Sequence, residues 1–221
     1  MVRVYSTIRT GKTAFNEIHG CRIWEYLQRN PETAAIFDLA MRSLQASMTG
    51  AVTAAYDWSR FPMIADIGGG IGGQLVDILN AHPSCRGILF DQPGVIARAI
   101  THERMNAIGG NFFESVPAGA NAYVLRSVIH DWADGEGIAI LKVVRAAAKP
   151  DARVILIEQN LPETPEYSIG KWADLSMLAY SGGQERTTSE YRKLMVAAGL
   201  DLEHIASTPV GPNLIIGRPQ A

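Results

Sequence analysis

The sequence lacks an excess of charge of either sign and long apolar runs, and we expect no secretory leader. Its 221 residues carry 20 Lys and Arg against 22 Asp and Glu, a formal net charge of −2. Surfaces that bind nucleic acid or membranes usually show a basic excess or a basic stripe, so this balance argues against both partners. No stretch approaches the roughly 20 apolar residues of a membrane helix, and the N-terminus has no apolar core of signal-peptide length.

Cysteine is also scarce, since the chain has only Cys21 and Cys85, far apart and outside any CxxC pattern. This excludes a disulfide scaffold, and no HExxH or paired CxxC motif indicates a metal. We therefore expect free thiols in a cytoplasmic protein with no metal site. Hydrophobic residues make up 47% and charged residues 19%, which is typical of a globular chain with one large domain.

Two hydrophobic patterns divide the chain near residue 60. Apolar residues recur every three or four positions between about residues 14 and 56, which predicts a helical lead-in over residues 1–60. From there, short aliphatic runs alternate with helical segments, which predicts an α/β domain over residues 61–221 with a doubly wound, mostly parallel sheet. The predicted strands are 63–67, 87–90, 123–125 and 154–157, and the predicted helices are 74–80, 95–100 and 136–148.

The C-terminal segment follows a different pattern. Residues 188–198 predict a helix that stops at Gly199, and two strands follow at 200–205 and 214–216. The turn-rich stretch 207–213 joins these strands. Because a short connection implies antiparallel pairing, we expect the sheet to end in an antiparallel hairpin.

A glycine-rich segment follows the first predicted strand. Gly68, Gly70 and Gly73 satisfy the pattern GxGxxG, which lets a ligand approach the backbone at the start of a helix, and Asp91 ends the next strand. This spacing is also typical of NAD-dependent dehydrogenases. However, the carboxylate of Asp66 would repel a pyrophosphate and attract an amine or a sulfonium, so the loop favours S-adenosylmethionine.

Other polar residues also follow predicted strands. Asn111 and Phe112, the segment 126–130, and Glu158 each come after a strand. Ligands of open α/β sheets bind beyond the carboxyl ends of the strands. We therefore expect these residues to meet in one crevice.

Five motifs in order carry a resemblance to a known family. They are DIGGG at 66–70, FDQP at 90–93, GGNFF at 109–113, HDW at 130–132 and GGQERT at 182–187. From about Gly11 to its C-terminus, the chain resembles the S-adenosylmethionine-dependent O-methyltransferases typified by the plant caffeic acid enzymes. Bacterial antibiotic-pathway enzymes of secondary metabolism are similar. The resemblance implies a Rossmann-like, class I methyltransferase fold and S-adenosylmethionine as the cofactor.

The resemblance also implies roles for individual residues. His130 stands at the position of the catalytic base, Glu158 and Glu185 match the two acids beside it, and Arg126 stands where the family usually has Lys. The implied cofactor-binding residues are Asp66, Gly68, Gly70, Asp91, Asn111, Phe112 and Arg126, and the implied substrate-binding residues are Met41, Met177 and Asp131.

The implied chemistry is methyl transfer to a hydroxyl group of a small aromatic molecule. An imidazole can accept the proton of a phenol as its oxygen attacks the methyl group, and a carboxylate on the far ring nitrogen would fix the tautomer. An in-line displacement of this kind needs no metal, so catalysis should consist largely of positioning. A structural interpretation of the HDW motif is a helix start with Asp131 as its N-cap, and Arg186 and Thr187 are expected to brace or cap the helix near Thr188.

Three departures from the family pattern leave alternatives open. The chain begins inside what the resemblance marks as a linker, so we expect no N-terminal dimerisation domain and a weakened tendency to form a homodimer. Asn111 replaces an acid at the adenine position, and the stretch 97–105 is shorter than usual. One alternative is thus a truncated methyltransferase-like protein that binds a cofactor or a partner without turnover. Another alternative, an NAD-dependent oxidoreductase, is supported only by the glycine pattern.

Overall fold

A computed structural model describes residues 2–209 and 211–220, without the side chains of residues 2 and 3. Helices dominate the first quarter of the chain and then alternate with strands. The helices are α1 (Val2–Thr10), α2 (Ala14–His19), α3 (Ile23–Arg29), α4 (Pro31–Ala54), α5 (Gly73–Ala81), α6 (Pro93–Ile96), α7 (Asp134–Ala147), α8 (Ile169–Tyr180) and α9 (Thr188–Ala197). Short 3₁₀ turns cover Trp58–Arg60 and Ile129–Asp131.

Within the described residues, seven strands form one sheet in the order β3-β2-β1-β4-β5-β9-β8. The strands are β1 (Met63–Ile67), β2 (Arg86–Asp91), β3 (Met105–Gly109), β4 (Ala122–Arg126), β5 (Arg153–Glu158), β8 (Leu200–Ala206) and β9 (Asn213–Pro219). The first five are parallel, and β9 runs antiparallel to both β5 and β8. A separate parallel pair joins β6 (Asn160–Leu161) to β7 (Arg186–Thr187). The predicted doubly wound sheet with a C-terminal hairpin is confirmed.

The element predictions differ from the structure mainly at their ends. The helix predicted at 95–100 is observed as α6 at Pro93–Ile96. It begins earlier than predicted because Pro93 occupies its first turn, and it also ends earlier. Helix α8 and the strands β3, β6 and β7 had no counterpart among the predicted elements. The predicted turn 207–213 contains Val210, which lies outside the described residues.

The sheet is buried on both faces, and β4 shows this most clearly. Neighbouring residues of a strand point to opposite faces, so Tyr123 joins the cluster that includes Val144 of α7, while Val124 joins the cluster that includes Leu75 of α5. All five residues of β4 are buried. Strands buried on both sides need helices on both sides, as in doubly wound folds.

The strand order places a crevice at one edge of the sheet. The connection from β1 leads outward to β2 and β3, and the chain then returns to place β4 on the other side of β1. Open parallel sheets bind ligands at such a switch point, beyond the carboxyl ends of the strands. Asp66 near the end of β1 and Arg126 at the end of β4 flank this point. No helix of the described residues is long and apolar enough to cross a membrane.

Candidate active site

A cavity of about 1170 Å³ lies beyond the carboxyl ends of β1, β2 and β4, between α4 and α8. Most of the predicted site residues line it. They are Met41, Asp66, Gly68, Gly70, Asp91, Arg126, His130, Asp131, Met177 and Glu185. The structure thus gathers residues that are separated by more than half of the chain in one crevice, whereas three of the strand-end residues expected there, Asn111, Phe112 and Glu158, are not among those that line it.

The glycine loop passes directly over the side chain of Asp66. A Cβ at Gly69 would lie 2.5 Å from Asp66 Oδ2 and 2.6 Å from Leu89 Cδ1, so only glycine fits there. Gly68 and Gly70 adopt positive φ angles of 68° and 60°, which L side chains rarely adopt.

Asp66 is only 1% exposed, and neither of its carboxylate oxygens has a hydrogen-bond partner among the described residues. Burial raises the pKa of Asp66 to about 7, although the charge of Arg126 opposes this rise. An unpartnered buried carboxylate beside an open loop fits a cationic ligand.

Asp91 ties the glycine loop to the end of β2. Its carboxylate accepts hydrogen bonds from the backbone N–H groups of Gly70 (2.8 Å) and Gln92 (2.6 Å). Burial raises the pKa of Asp91 to about 6, and these two donors work against the rise. The side chain lies where a ligand in the loop would meet it.

His130 lies in the 3₁₀ turn after β4, with carboxylates on both ring nitrogens. Its Nδ1 is 2.9 Å from Glu185 Oε1 and 3.8 Å from Glu158 Oε2, and its Nε2 is 3.9 Å from Asp131 Oδ2. Burial disfavours the charged ring, but these carboxylates outweigh burial and raise the pKa of His130 to about 10. The surrounding carboxylates therefore favour the charged form of the ring.

Glu158 holds the base of this turn. Its Oε1 accepts hydrogen bonds from the backbone N–H groups of Val128 (3.0 Å) and Ile129 (2.7 Å), while Oε2 faces the imidazole without a hydrogen bond. Complete burial raises the pKa of Glu158. One carboxylate thus holds the backbone of this turn and also places a negative charge beside the imidazole.

Arg186 braces the same turn from the other side. It is fully buried and donates hydrogen bonds to the carbonyl oxygens of Ile129 (3.1 Å) and Trp132 (2.8 Å). Gln184 N–H donates to His130 O (2.8 Å), and a Cβ at Gly183 would overlap that same carbonyl oxygen. The motif GGQERT therefore supplies an acid for the imidazole and also packs against its backbone.

Two expectations about helix starts have different outcomes. Thr187 and Glu190 form a reciprocal capping box on α9, so the predicted capping role of Thr187 is confirmed. Asp131 does not cap a helix, because α7 begins at Asp134 with Ala133 as its N-cap. Asp131 instead lies 9% exposed beside the imidazole, at the wall of the cavity.

Asn111 and Phe112 are not among the residues that line the cavity. The side-chain amide of Asn111 makes hydrogen bonds within its own turn. Its Nδ2 donates to Glu114 Oε1 (3.0 Å), and its Oδ1 accepts from Phe113 N–H (3.0 Å). Phe112 packs edge-on against Trp132, with ring centroids 5.9 Å apart. Their role at an adenine ring stays a prediction.

His130, Glu158 and Glu185 also match the spacing of a metal-ligand set. One ligating atom from each lies within 4.8 Å of the others. An imidazolium between two carboxylates has the same spacing, so the geometry alone allows either a proton or a metal ion at this point.

The lead-in helices contribute residues that sequence reasoning missed. Trp24 and Gln28 of α3 line the cavity, and Gln28 Nε2 donates to Gln92 Oε1 (2.7 Å), beside Asp91. Tyr180, at the end of α8, also lines it. These side chains follow the ordinary spacing of core helices, so nothing in the local pattern distinguishes them from core residues.

Comparison with known proteins agrees with this geometry. The sequence model of the O-methyltransferase domain family matches residues 3–201. The chain is 39% identical to the phenazine O-methyltransferase PhzM of Lysobacter antibioticus over 98% of this chain and 65% of that protein. The chain thus spans less than two thirds of that relative's length.

Solved structures give the same result. The crystal structure of LaPhzM superposes with a TM-score of 0.95 at 38% identity, covering 99% of this chain and 68% of that one. NcsB1, an O-methyltransferase from neocarzinostatin biosynthesis crystallised with S-adenosyl-L-homocysteine and 1,4-dihydroxy-2-naphthoic acid, superposes with a TM-score of 0.89 at 32% identity. It covers 99% of this chain and 67% of that one. The fold is that of the class I methyltransferases, and the chain belongs to the O-methyltransferase domain family.

Proposed function

We propose that the chain is an S-adenosylmethionine-dependent O-methyltransferase that moves a methyl group to a hydroxyl of a small aromatic molecule, with His130 as general base. The observation that carries this proposal is the shared cavity. The unpartnered carboxylate of Asp66 and the imidazole of His130, backed by Glu185, both face it. A cation site and a base on one cavity are what this transfer requires.

The residues around the glycine loop fit the cofactor. The unpartnered Asp66 would hold its ammonium group, the loop at Gly68 and Gly70 would let it approach the backbone, and Asp91 would accept from its ribose hydroxyls. S-adenosylmethionine supplies an electrophilic methyl group on a sulfonium. The acidic lining agrees with a cofactor that carries cations and no phosphate.

The acceptor would bind between α4 and α8. Met41 of α4 and Met177 of α8 line this part of the cavity, and sulfur makes favourable contacts with aromatic rings. Asp131 adds a carboxylate beside the imidazole. The naphthoic acid in the NcsB1 complex supports an aromatic acceptor.

His130 would take the proton of the acceptor hydroxyl on Nε2. Glu185, 2.9 Å from Nδ1, would fix the orientation of the ring and stabilise the imidazolium that forms. Because these carboxylates raise the pKa of His130 to about 10, only the uncharged fraction of the ring can act as a base. That fraction increases as the pH rises toward 10.

We further propose that transfer needs no metal, since displacement at a methyl carbon requires a nucleophile and a leaving group but no Lewis acid. In this proposal the cluster of His130, Glu158 and Glu185 handles a proton. Chelation with EDTA tests this point directly.

Calorimetry with S-adenosylmethionine and S-adenosylhomocysteine tests cofactor binding, and methyl transfer to 1,4-dihydroxy-2-naphthoic acid and related phenols tests activity. We expect His130→Ala to lower kcat about 10²- to 10⁴-fold, the usual contribution of general base catalysis, and to leave cofactor affinity unchanged. Failure of the wild-type chain to bind either cofactor form would refute the proposal.

A second candidate is a protein that binds the cofactor without turnover. It is favoured by Asn111, whose amide is used within its own turn. Binding of S-adenosylhomocysteine without methylation of any phenol would support this candidate. Methylation that disappears in His130→Ala would exclude it.

A further inference from the structure

Helix α4 forms one wall of the cavity, and none of its residues between Ala34 and Thr49 is buried. Phe37, Met41, Leu44 and Met48 line the cavity, whereas Ala34, Thr49 and Val52 are the buried residues of this 24-residue helix. Leu44 remains 64% exposed. We therefore expect polar contacts to hold this part of α4 against the rest of the protein.

Arg126 makes the first set of these contacts. Its Nη1 donates to Thr49 Oγ1 (2.9 Å) and to Gln74 Oε1, and its Nη2 donates to Gln45 O (3.3 Å). Thr49 Oγ1 donates in turn to Gln45 O (2.9 Å), and Gln74 Nε2 donates to Thr53 Oγ1 (3.1 Å). The network joins the end of β4 to the second half of α4.

Arg98, in the segment after α6, makes the second set. Its Nε and Nη2 donate to Asp38 Oδ2 at 2.9 and 2.6 Å. Asp38 lies nearly two turns before Gln45, so Met41 and Leu44 lie between the two anchors. Each residue of a helix rises about 1.5 Å along the axis, so a small slip of α4 would move both side chains relative to His130.

We propose that Arg126 and Arg98 are positioning residues that hold α4 as the acceptor-facing wall of the active site, and that Thr49 and Asp38 are the helix residues through which they act. This proposal rests on the proposed function. It assigns Arg126 to the acceptor side of the reaction, in contrast to the cofactor role that the family resemblance implies.

The hydrogen bonds of Arg126 support this assignment. Both terminal nitrogens are used by α4 and Gln74, and Nε has no partner among the described residues. No hydrogen bond joins Arg126 to Asp66, whose carboxylate oxygens are unpartnered in the described structure. A lysine, with one nitrogen, could not reproduce this fork of contacts.

Thr49→Val tests the proposal without removing the charge of Arg126. Valine matches the shape of threonine but lacks the hydroxyl, and Thr49→Ser is the matched control because serine keeps it. We expect Thr49→Val to raise the acceptor KM about five-fold or more and to leave the Kd of S-adenosylhomocysteine within about two-fold. Thr49→Ser should match the wild-type protein in both. Asp38→Asn, at the other anchor, should also raise the acceptor KM.

Amide hydrogen exchange gives a readout that does not depend on turnover. Peptides spanning residues 38–52 should exchange faster in Thr49→Val than in the wild-type protein or in Thr49→Ser. Unchanged exchange in α4, an unchanged acceptor KM in an active protein, or a larger effect on S-adenosylhomocysteine binding than on acceptor KM would each overturn the proposal. A wild-type chain that neither binds S-adenosylhomocysteine nor methylates a phenol would instead refute the proposed function, and the exchange comparison would still decide the role of Thr49.

Discussion

Glu185→Gln should lower the pKa of His130 and so increase the uncharged fraction of this imidazole at neutral pH. The carboxylate oxygen lies 2.9 Å from Nδ1, and the low exposure of the two side chains, 16% for His130 and 3% for Glu185, limits screening by water. Two unit charges about 4 Å apart interact by ~4 kcal/mol at an effective dielectric constant of about 20. Since one pKa unit corresponds to ~1.36 kcal/mol, this interaction sets an upper limit of ~3 on the fall in the pKa of His130, and Glu158, whose charge raises that pKa more than the charge of Glu185 does, remains in place.

Glutamine retains an oxygen that can accept from Nδ1–H, so we expect a smaller fall, of about 2, from the wild-type value of about 10. Because the base works only when uncharged, acceptor kcat/KM should increase with pH in both proteins. Its half-maximal point should lie about 2 pH units lower in Glu185→Gln. The plateau should also be lower, because an amide stabilises the imidazolium less well than a carboxylate.

Nitrogen NMR of histidine side chains measures this pKa directly, and His130→Gln identifies the resonance among the five histidines. Glu136→Gln is a suitable control, because that carboxylate pairs with Arg22 near the surface. If His130 titrated near 6.5 in the wild-type protein, or titrated at the same pH in Glu185→Gln, the electrostatic account of the site would be wrong.

Three other predictions concern the glycine loop and the cluster. Burial raises the pKa of Asp66 from 3.8 to about 7, so the unfolded chain releases this proton between those pH values while the folded chain retains it, and stability falls as pH rises through that window. Asp66→Asn should therefore increase the free energy of unfolding at pH 8, by up to ~4 kcal/mol in chemical denaturation, and abolish S-adenosylmethionine binding; a destabilised variant would contradict this. Gly69→Ala should lower S-adenosylhomocysteine affinity at least ten-fold in calorimetry, because its Cβ would meet Asp66 Oδ2 at 2.5 Å, whereas a Cβ at Gly135, which is not among the cavity residues, meets nothing within 4 Å and Gly135→Ala should bind normally. Dialysis against EDTA should leave the methylation rate unchanged; a loss restored by a divalent metal would assign the His130 cluster to a metal.

The sheet could be predicted from the sequence because its central strands are short aliphatic runs, whereas the segments between them have helical spacing of apolar residues. The strand 63–67 was predicted with its observed bounds, and the central strands are short aliphatic runs between helices. Helix α8 escaped prediction because its apolar residues do not form one stripe. Met177 lines the cavity, while Leu175, which is 38% exposed, points to the opposite side of the helix. The spacing of apolar residues identifies a helix from the sequence only when one side of the helix is buried.

The positions of cavity residues could be predicted from the sequence where those residues lie at or just after the end of a strand. They could not be predicted where they depend on how a helix that is distant in sequence packs against the sheet. Asp66, Asp91 and Arg126 lie at the carboxyl ends of strands and His130 follows soon after one, so the parallel sheet itself brings them together. Thr49 has no such signal, because a threonine in a helix usually faces solvent or bonds to its own backbone. Its contact with Arg126 depends on the packing of α4 across the sheet.

Three buried carboxylates of the candidate site lower the stability of the fold. Asp66, Glu158 and Glu185 are each at most 5% exposed, and each has a carboxylate oxygen without a hydrogen-bond partner among the described residues. Buried, incompletely paired carboxylates destabilise a fold, so a sequence optimised only for stability would replace them with apolar residues. Two of them lie against His130 and the third lies under the glycine loop. Since a cationic cofactor would provide the missing partner for Asp66, binding of S-adenosylmethionine should stabilise the folded chain more at pH 8, where this carboxylate is charged, than at pH 6, where it holds its proton.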